Sequence, residues 1–380
     1  MKVLMFLSNP FTSDPRVYNE ARSLVQAGHE VTVIAWDRDN QNPPRQNWDG
    51  IEVVRLRTRL LPKRRRFGSP LWVGLNLILW QRQALRQALA LNREKHFDVI
   101  HCHDFDTLAI GARLKRKLRI PLVYDAHEIY GYMVSGVLPW RVANVFLWRE
   151  KRLTRNVDRI INVGEAQKRY FGGITDKPIS VIMNCKPLQS TEYRPPDNGK
   201  LIVLYIGGLQ PDRAVLMLVQ AVKELPGVRC LIGGIGAPAY VQTIKEECSR
   251  TSNVSFLGRI PFDQVIPMTV KADVVFCMFD PGNPNSVIGT PNKLFEAMTC
   301  GRPIICTRGT YSGELTEQEE VGLAVEYNEQ ALSEAIIKLR DNPEFRERLG
   351  RNALKAAITK YNWQKQEEKL LELYKGLQGS

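Results

Sequence analysis

Between Ile288 and Cys306 the chain reads Ile-Gly-Thr-Pro-Asn-Lys-Leu-Phe-Glu-Ala-Met-Thr-Cys-Gly-Arg-Pro-Ile-Ile-Cys, and its punctuation leaves little choice of structure. Proline suits a first helical turn, where its missing N–H has no partner to lose, so a helix is expected from Pro291. Gly301 supplies the left-handed residue that ends it, and Pro303 bars its resumption. An apolar strand follows. The start of that helix presents free N–H groups and the positive end of a dipole, which suits a phosphate. Glu296, one turn further in, is badly placed for phosphate and well placed for two sugar hydroxyls. The combination reads as a nucleotide site.

The same alternation opens the chain. Residues 2–8 read as a buried strand, 9–15 as a loop, 15–27 as a helix stopped by Gly28, and 29–35 as a second strand. A β-loop-α-β start with a right-handed crossover begins a doubly wound α/β domain, whose ligand crevice lies beyond the carboxyl ends of its strands. Polar residues crowd such ends at Asp98-Val-Ile-His101-Cys-His103-Asp104 and at Asp125-Ala-His127-Glu128. His101 and His103 share a sheet face. No third ligand-bearing helix is evident beside them, so no metal site is expected. At 380 residues the chain exceeds one ordinary core and suits two domains. The expected division is 1–185, a Pro-containing polar linker at 186–200, a second α/β domain at 201–360 and a closing helix at 361–380. The second rhythm starts at Leu201 and runs into Gly207-Gly208 and Arg213. It continues through Gly234 and Gly236, Arg259, and a Gly/Pro/Asn-rich loop at 280–290.

Charge is uneven. Residues 1–190 hold 31 Lys+Arg against 17 Asp+Glu, whereas 191–380 hold 22 against 23, so the first half faces something anionic. Arg55, Arg57, Arg59, Lys63, Arg64, Arg65 and Arg66 precede an uncharged run containing Trp72 and Trp80. That run is too short to span a bilayer, and the pairing of cations with rings fits an interfacial anchor. The expectation is contact with an anionic membrane surface through Arg64, Arg65, Arg66, Trp72 and Trp80; the bland alternative is a core helix. Nothing resembling a nucleic-acid-binding motif accompanies the basic residues, so no nucleic acid is expected as partner. Seven scattered cysteines indicate neither disulfides nor zinc. With no signal-peptide pattern at the start, a cytoplasmic protein held peripherally at the inner membrane face is expected.

Glu296-Ala-Met-Thr-Cys-Gly-Arg-Pro-Ile resembles the donor-site motif of family-4 retaining glycosyltransferases with the GT-B fold, and the likeness extends over most of the chain. It implies two Rossmann-like doubly wound α/β domains facing a central cleft, an N-terminal acceptor domain and a C-terminal nucleotide-sugar domain. The implied reaction moves a sugar from a nucleoside-diphosphate sugar to a hydroxyl, with retention; the basic first half and the Trp72/Trp80 helix point to a lipid-linked acceptor, such as a polyprenyl-diphosphate glycan of surface-polysaccharide or glycoconjugate synthesis. The implied donor residues are Gly207, Gly208, Arg213, Gly234, Gly236, Arg259, Thr290, Pro291, Asn292, Lys293, Leu294 and Glu296. Those for the acceptor are Asp14, Arg16, Asp104, His127 and Glu128, and the catalytic residues are His103, Arg213 and Glu296. No Asp-x-Asp motif stands where a metal-dependent transferase needs one, so no obligatory metal or other cofactor is expected. Two departures stand out. The family's first motif glutamate is replaced by Ile288, and the arginine usual at the first diphosphate position is Gly208. These keep two other readings open: a non-catalytic sugar-nucleotide-binding scaffold and a GT-B-type sugar-nucleotide epimerase.

Overall fold

In the computed structural model, residues 1–12, 14–58, 70–136 and 138–378 are described, side chains of 70–73 excepted. The first sheet grows from β1 (Lys2–Leu7), whose residues from Val3 on are buried, as befits a central parallel strand covered on both faces. Its helix α1 (Pro15–Gln26) starts where Asp14 accepts a bond from Val17 N, with Pro15 in the first turn, and Gly28 at φ +84 follows its end. Next come β2 (Glu30–Trp36), β3 (Arg45–Trp48), β4 (Ile51–Leu56), α2 (Pro70–Lys95), β5 (Val99–His103) and α3 (Phe105–Leu118). The first unit continues with β6 (Leu122–Ala126), α4 (Tyr130–Ser135), α5 (Trp140–Thr154), β7 (Arg159–Asn162), α6 (Glu165–Gly172) and β8 (Ile179–Val181). Strand order is β3-β4-β2-β1-β5-β6-β7-β8, parallel except for the β3–β4 hairpin. The order reverses between β1 and β5, which sets a ligand crevice beyond their carboxyl ends.

Two sequence expectations change here. Arg55 is no member of a solvated basic loop: it lies in β4, is buried, and donates to the carbonyls of Pro10, Phe11 and Pro43 and to Gln46 Oε1. Trp80 is no membrane anchor. In α2 the buried residues Trp80, Ala84, Ala88 and Leu91 recur at helical spacing, and the Trp80 ring stacks on Trp36 at 5.4 Å. A stripe of that period marks a core helix. Arg64, Arg65, Arg66 and the Trp72 side chain lie outside the described residues. Among the described residues no helix is long and apolar enough to cross a membrane.

The second sheet is six-stranded: β9 (Leu201–Leu209), β10 (Val228–Gly236), β11 (Val254–Gly258), β12 (Val274–Cys277), β13 (Ile304–Thr307) and β14 (Gly322–Val325). Their order is β11-β10-β9-β12-β13-β14, all parallel, with the reversal between β9 and β12. The helices of this unit are α7 (Val215–Val222), α8 (Pro238–Ser249), α9 (Phe262–Lys271), α10 (Pro284–Ile288), α11 (Asn292–Thr299), α12 (Tyr311–Gln318), α13 (Glu329–Asp341) and α14 (Pro343–Thr359). Pro291 caps α11 rather than opening it, and Gly301, at φ +64, ends it. The short helix α10 stands where a loop was expected. One compact unit comprises residues 1–182 with those from Glu367 on, the other Met183–Gln366. The closing helix α15 (Trp363–Gln378) thus contributes Tyr374 to the first unit.

Candidate functional site

In the first unit the register of β5 and β6 places His103 opposite Asp125, both at carboxyl ends of strands and both fully buried. Asp125 is the hub. It accepts from Arg16 Nε at 3.0 Å and Arg16 Nη2 at 2.6 Å, from His103 Nδ1 at 3.0 Å and from His127 Nε2 at 2.8 Å. Burial opposes ionisation of Asp125, but Arg16 and His127 outweigh it and hold the carboxyl well below the usual carboxylate range. Burial likewise pulls His127 down, yet Asp104 and Asp125 outweigh it and raise the imidazole to about 10. Its second ring nitrogen lies 3.3 Å from Asp104 Oδ2, so a doubly protonated ring bridges two carboxylates. His103 differs. Burial lowers it, so the ring is neutral, donates from Nδ1 to Asp125 and keeps a lone pair on Nε2. That Nε2 is buried and has no hydrogen-bond partner among the described residues.

Asp104 takes φ +62 with ψ 164, a conformation costing an L residue on the order of 1–3 kcal/mol. It is held there by its N–H to Asp125 O at 2.8 Å and by its carboxylate, which accepts from His127 N. The strained residue directly follows His103. Arg16 was expected to meet an anionic acceptor group; it is buried instead, spent on Asp125, on Ile182 O and on Glu20, whose Oε1 lies 3.1 Å away. Asp14 serves as the cap of α1 and takes a bond from Asn9. Glu128 is half-buried, and no partner is recorded for it among the described residues. His101 donates to or accepts from Tyr374 Oη at 2.8 Å and stacks on His103 at 4.4 Å, a packing role.

Ligand atoms of Glu20, His101, His103 and Asp125 lie within 4.8 Å of one another, a convergence the sequence reading did not foresee. Arg16, however, already sits against both carboxylates and supplies the positive charge there. Both Glu20 oxygens and the Nε2 atoms of His101 and His103 are buried without a hydrogen-bond partner among the described residues.

In the second unit, polar groups gather at the carboxyl ends of β9 and β12. The turn Pro211–Arg213 is tied to the loop after β12 by Asp280 N donating to Asp212 O at 2.9 Å. Arg213 lays its guanidinium over the Phe279 ring at 4.3 Å. Lys293, in the first turn of α11, places Nζ over Tyr205 at 4.3 Å and over the same Phe279 at 5.2 Å. A Cβ on Gly207 would come within 3.0 Å of Lys293 Nζ, so glycine there leaves room for the ammonium. Burial, then the neighbouring Arg213, pulls Lys293 below its ordinary value. Two cations are therefore held on one aromatic floor, Arg213 with Asp212 Oδ1 3.5 Å from its Nε, an arrangement that suits a diphosphate. Glu296, three residues beyond Lys293 along α11, is buried and lies 3.3 Å from Lys186 Nζ.

The other donor residues divide. Thr290, Pro291 and Asn292 lead into α11, and Arg259 is exposed just beyond β11. Leu294 faces the core, fully buried, so only its backbone can serve a ligand. Gly234 and Gly236 were expected to admit a ligand, but a Cβ on either would strike β9 itself, 1.9 Å from Gly207 O and 2.1 Å from Leu209 O. Their lack of side chain serves strand pairing. Sequence reasoning missed Lys186, placed in the linker, and the aromatic floor of Tyr205 and Phe279. It quoted Asp125 without assigning it a role, although an acid ending an apolar strand was a usable signal.

A family model described as a glycosyl transferase 4-like domain matches residues 13–185, and one described as glycosyl transferases group 1 matches 200–342. An uncharacterized glycosyltransferase of Methanocaldococcus jannaschii is 24% identical over 378 residues, covering 93% of this chain and 92% of its own. Among solved structures, sucrose-phosphate synthase from Thermosynechococcus elongatus superposes with a TM-score of 0.82 at 18% identity, covering 100% of both chains. Anabaena HepE in complex with UDP and glucose gives 0.73 at 17% identity, covering 99% of this chain and 100% of that one.

Proposed function

We propose that this chain, which belongs to the group 1 glycosyltransferases of the GT-B fold, transfers a sugar from a nucleoside-diphosphate sugar to a hydroxyl with retention at the anomeric carbon. The observation that carries the donor reading is the cation pair, Arg213 and Lys293 over Phe279, at the start of α11. As the glycosidic bond breaks, negative charge grows on the leaving diphosphate. Two cations and the free N–H groups of the helix start, fixed before the reaction, stabilise that charge more than they stabilise the ground state. Glu296 takes the ribose hydroxyls, its carboxylate steadied by Lys186. In the first unit His103 presents an unpartnered Nε2, its tautomer fixed by Asp125, as an acceptor for a sugar hydroxyl. No step in this scheme is routed through a metal.

The acceptor we infer is a lipid-linked glycan, a reading supported by the excess of cations in residues 1–190. The test is thermal stability against a panel of nucleoside diphosphates and their sugars, with and without EDTA. UDP goes first, because HepE was crystallised with it. A selective rise in midpoint, indifferent to EDTA and lost in Arg213→Ala and Glu296→Ala, is expected. Absence of any rise at millimolar nucleotide would favour the scaffold reading instead.

A further inference from the structure

Helix α5 turns Ala143, Glu150 and Thr154 inward, all fully buried. At the helical repeat of about 100° per residue, the opposite side carries Arg141, Val145, Trp148 and Arg152 in one line. On that line Trp148 is 58% exposed, with the Arg152 guanidinium over its ring, and Val145 53%; Val142, 40% exposed, and Trp140, 49% exposed and edge-on to Tyr132, flank it on either side. Met133 of α4 is exposed as well. Arg141, Arg149, Lys151, Arg152 and the capping Arg155 are exposed too, and among the described residues no ion pair with an acid is recorded for any of them. The one carboxylate of the helix, Glu150, is buried against Tyr124. A solvated helix has no use for two open tryptophans and two open valines, and it intersperses its charges in sign.

We propose that this face of α5 docks on the surface of an anionic lipid bilayer, with Trp140, Trp148, Val142 and Val145 entering the headgroup boundary and the five cations meeting lipid phosphates. The ring-and-cation pattern fits that boundary, where long basic side chains reach out to phosphate while apolar groups sink below it. Nucleic acid would engage the cations and rings but leave the valines unsatisfied. Pairing with a second copy would set five cations against five. The proposal deepens the lipid-linked-acceptor reading, on which it rests for its purpose, and it replaces Trp80 by Trp148 as the anchoring ring.

The experiment is co-sedimentation of the full chain with vesicles of phosphatidylcholine alone or with about a third phosphatidylglycerol. Two surface variants are run beside it, Val145→Ser with Trp148→Ser, and Arg149→Glu with Arg152→Glu. Binding is expected only to the anionic vesicles and to weaken with salt. It should fall roughly tenfold in the apolar variant and roughly a hundredfold in the charge variant. Melting midpoints and nucleotide-induced stabilisation should stay as in the parent chain, which separates a failure of docking from a failure of the donor site. Equal binding of parent and both variants overturns the proposal. So does equal binding to neutral vesicles, preference for duplex DNA over anionic vesicles, or a dimer that Trp148→Ser converts to monomer.

Discussion

Each residue of the donor cluster does a separable job. On the proposed donor reading Arg213 and Lys293 answer to phosphate charge, so Arg213→Met or Lys293→Met should weaken a nucleoside diphosphate by roughly ten- to a hundredfold, a charge-assisted bond apiece. Both changes should leave the free nucleoside almost unaffected, as calorimetric titration would read. Glu296→Gln should cost the nucleoside and the diphosphate alike, because it acts on the ribose. In the first unit His127 gives a pH signature. Its folded value of about 10 lies above the ordinary 6.5, so its stabilisation is complete below pH 6.5 and lost as pH rises through 10. The melting midpoint should therefore fall across that window, by an amount equivalent to on the order of 5 kcal/mol. His127→Gln should flatten the fall. Asp125→Asn takes from the buried Arg16 guanidinium its doubly bonded carboxylate, leaving Glu20 at 3.1 Å, and should cost roughly 3–5 kcal/mol, measured by urea unfolding.

Elements set the limits within which those residues act. The pairing of β9 with β10 continues in register as far as Leu209 with Gly236. It can do so only because Gly234 and Gly236 present no Cβ to the β9 carbonyls. Gly234 also sits at φ +154. Gly234→Ala should part the two strands and lower stability by about 3 kcal/mol or more, with nucleotide affinity falling because Gly207 and Gly208 move. Gly172→Ala, at the end of α6 where a Cβ meets nothing within 4 Å, is the control and should be neutral or slightly stabilising. Helix α11 was legible as an element from Pro291, Gly301 and Pro303, whose backbone limits act locally. Helix α2 was misread because cations and tryptophans look alike in a core helix and an anchor; only the packing of Trp80 on Trp36 separates the two.

For the whole molecule, two parallel sheets with strand order reversing once in each fix where chemistry collects, at β1/β5 and at β9/β12. If the donor belongs to the second unit, saturating nucleoside diphosphate should protect amides of 207–213 and 288–296 most strongly in hydrogen exchange, with 99–127 following less or not at all. The sequence by itself determined the α/β class, the two-unit organisation, and the segments that bring His103, Asp125 and Gly207 towards strand ends and Lys293 to a helix start, because periodicity, proline and glycine act over a few residues. It could not say that Arg16 serves Asp125 from 109 positions away, or that Lys186 serves Glu296. Nor could it say that Lys293 and Arg213 share the Phe279 ring, or that α5 keeps its tryptophans outside. Those depend on which side chains the sheets and helices bring together and which they leave facing solvent, and only tertiary packing decides that.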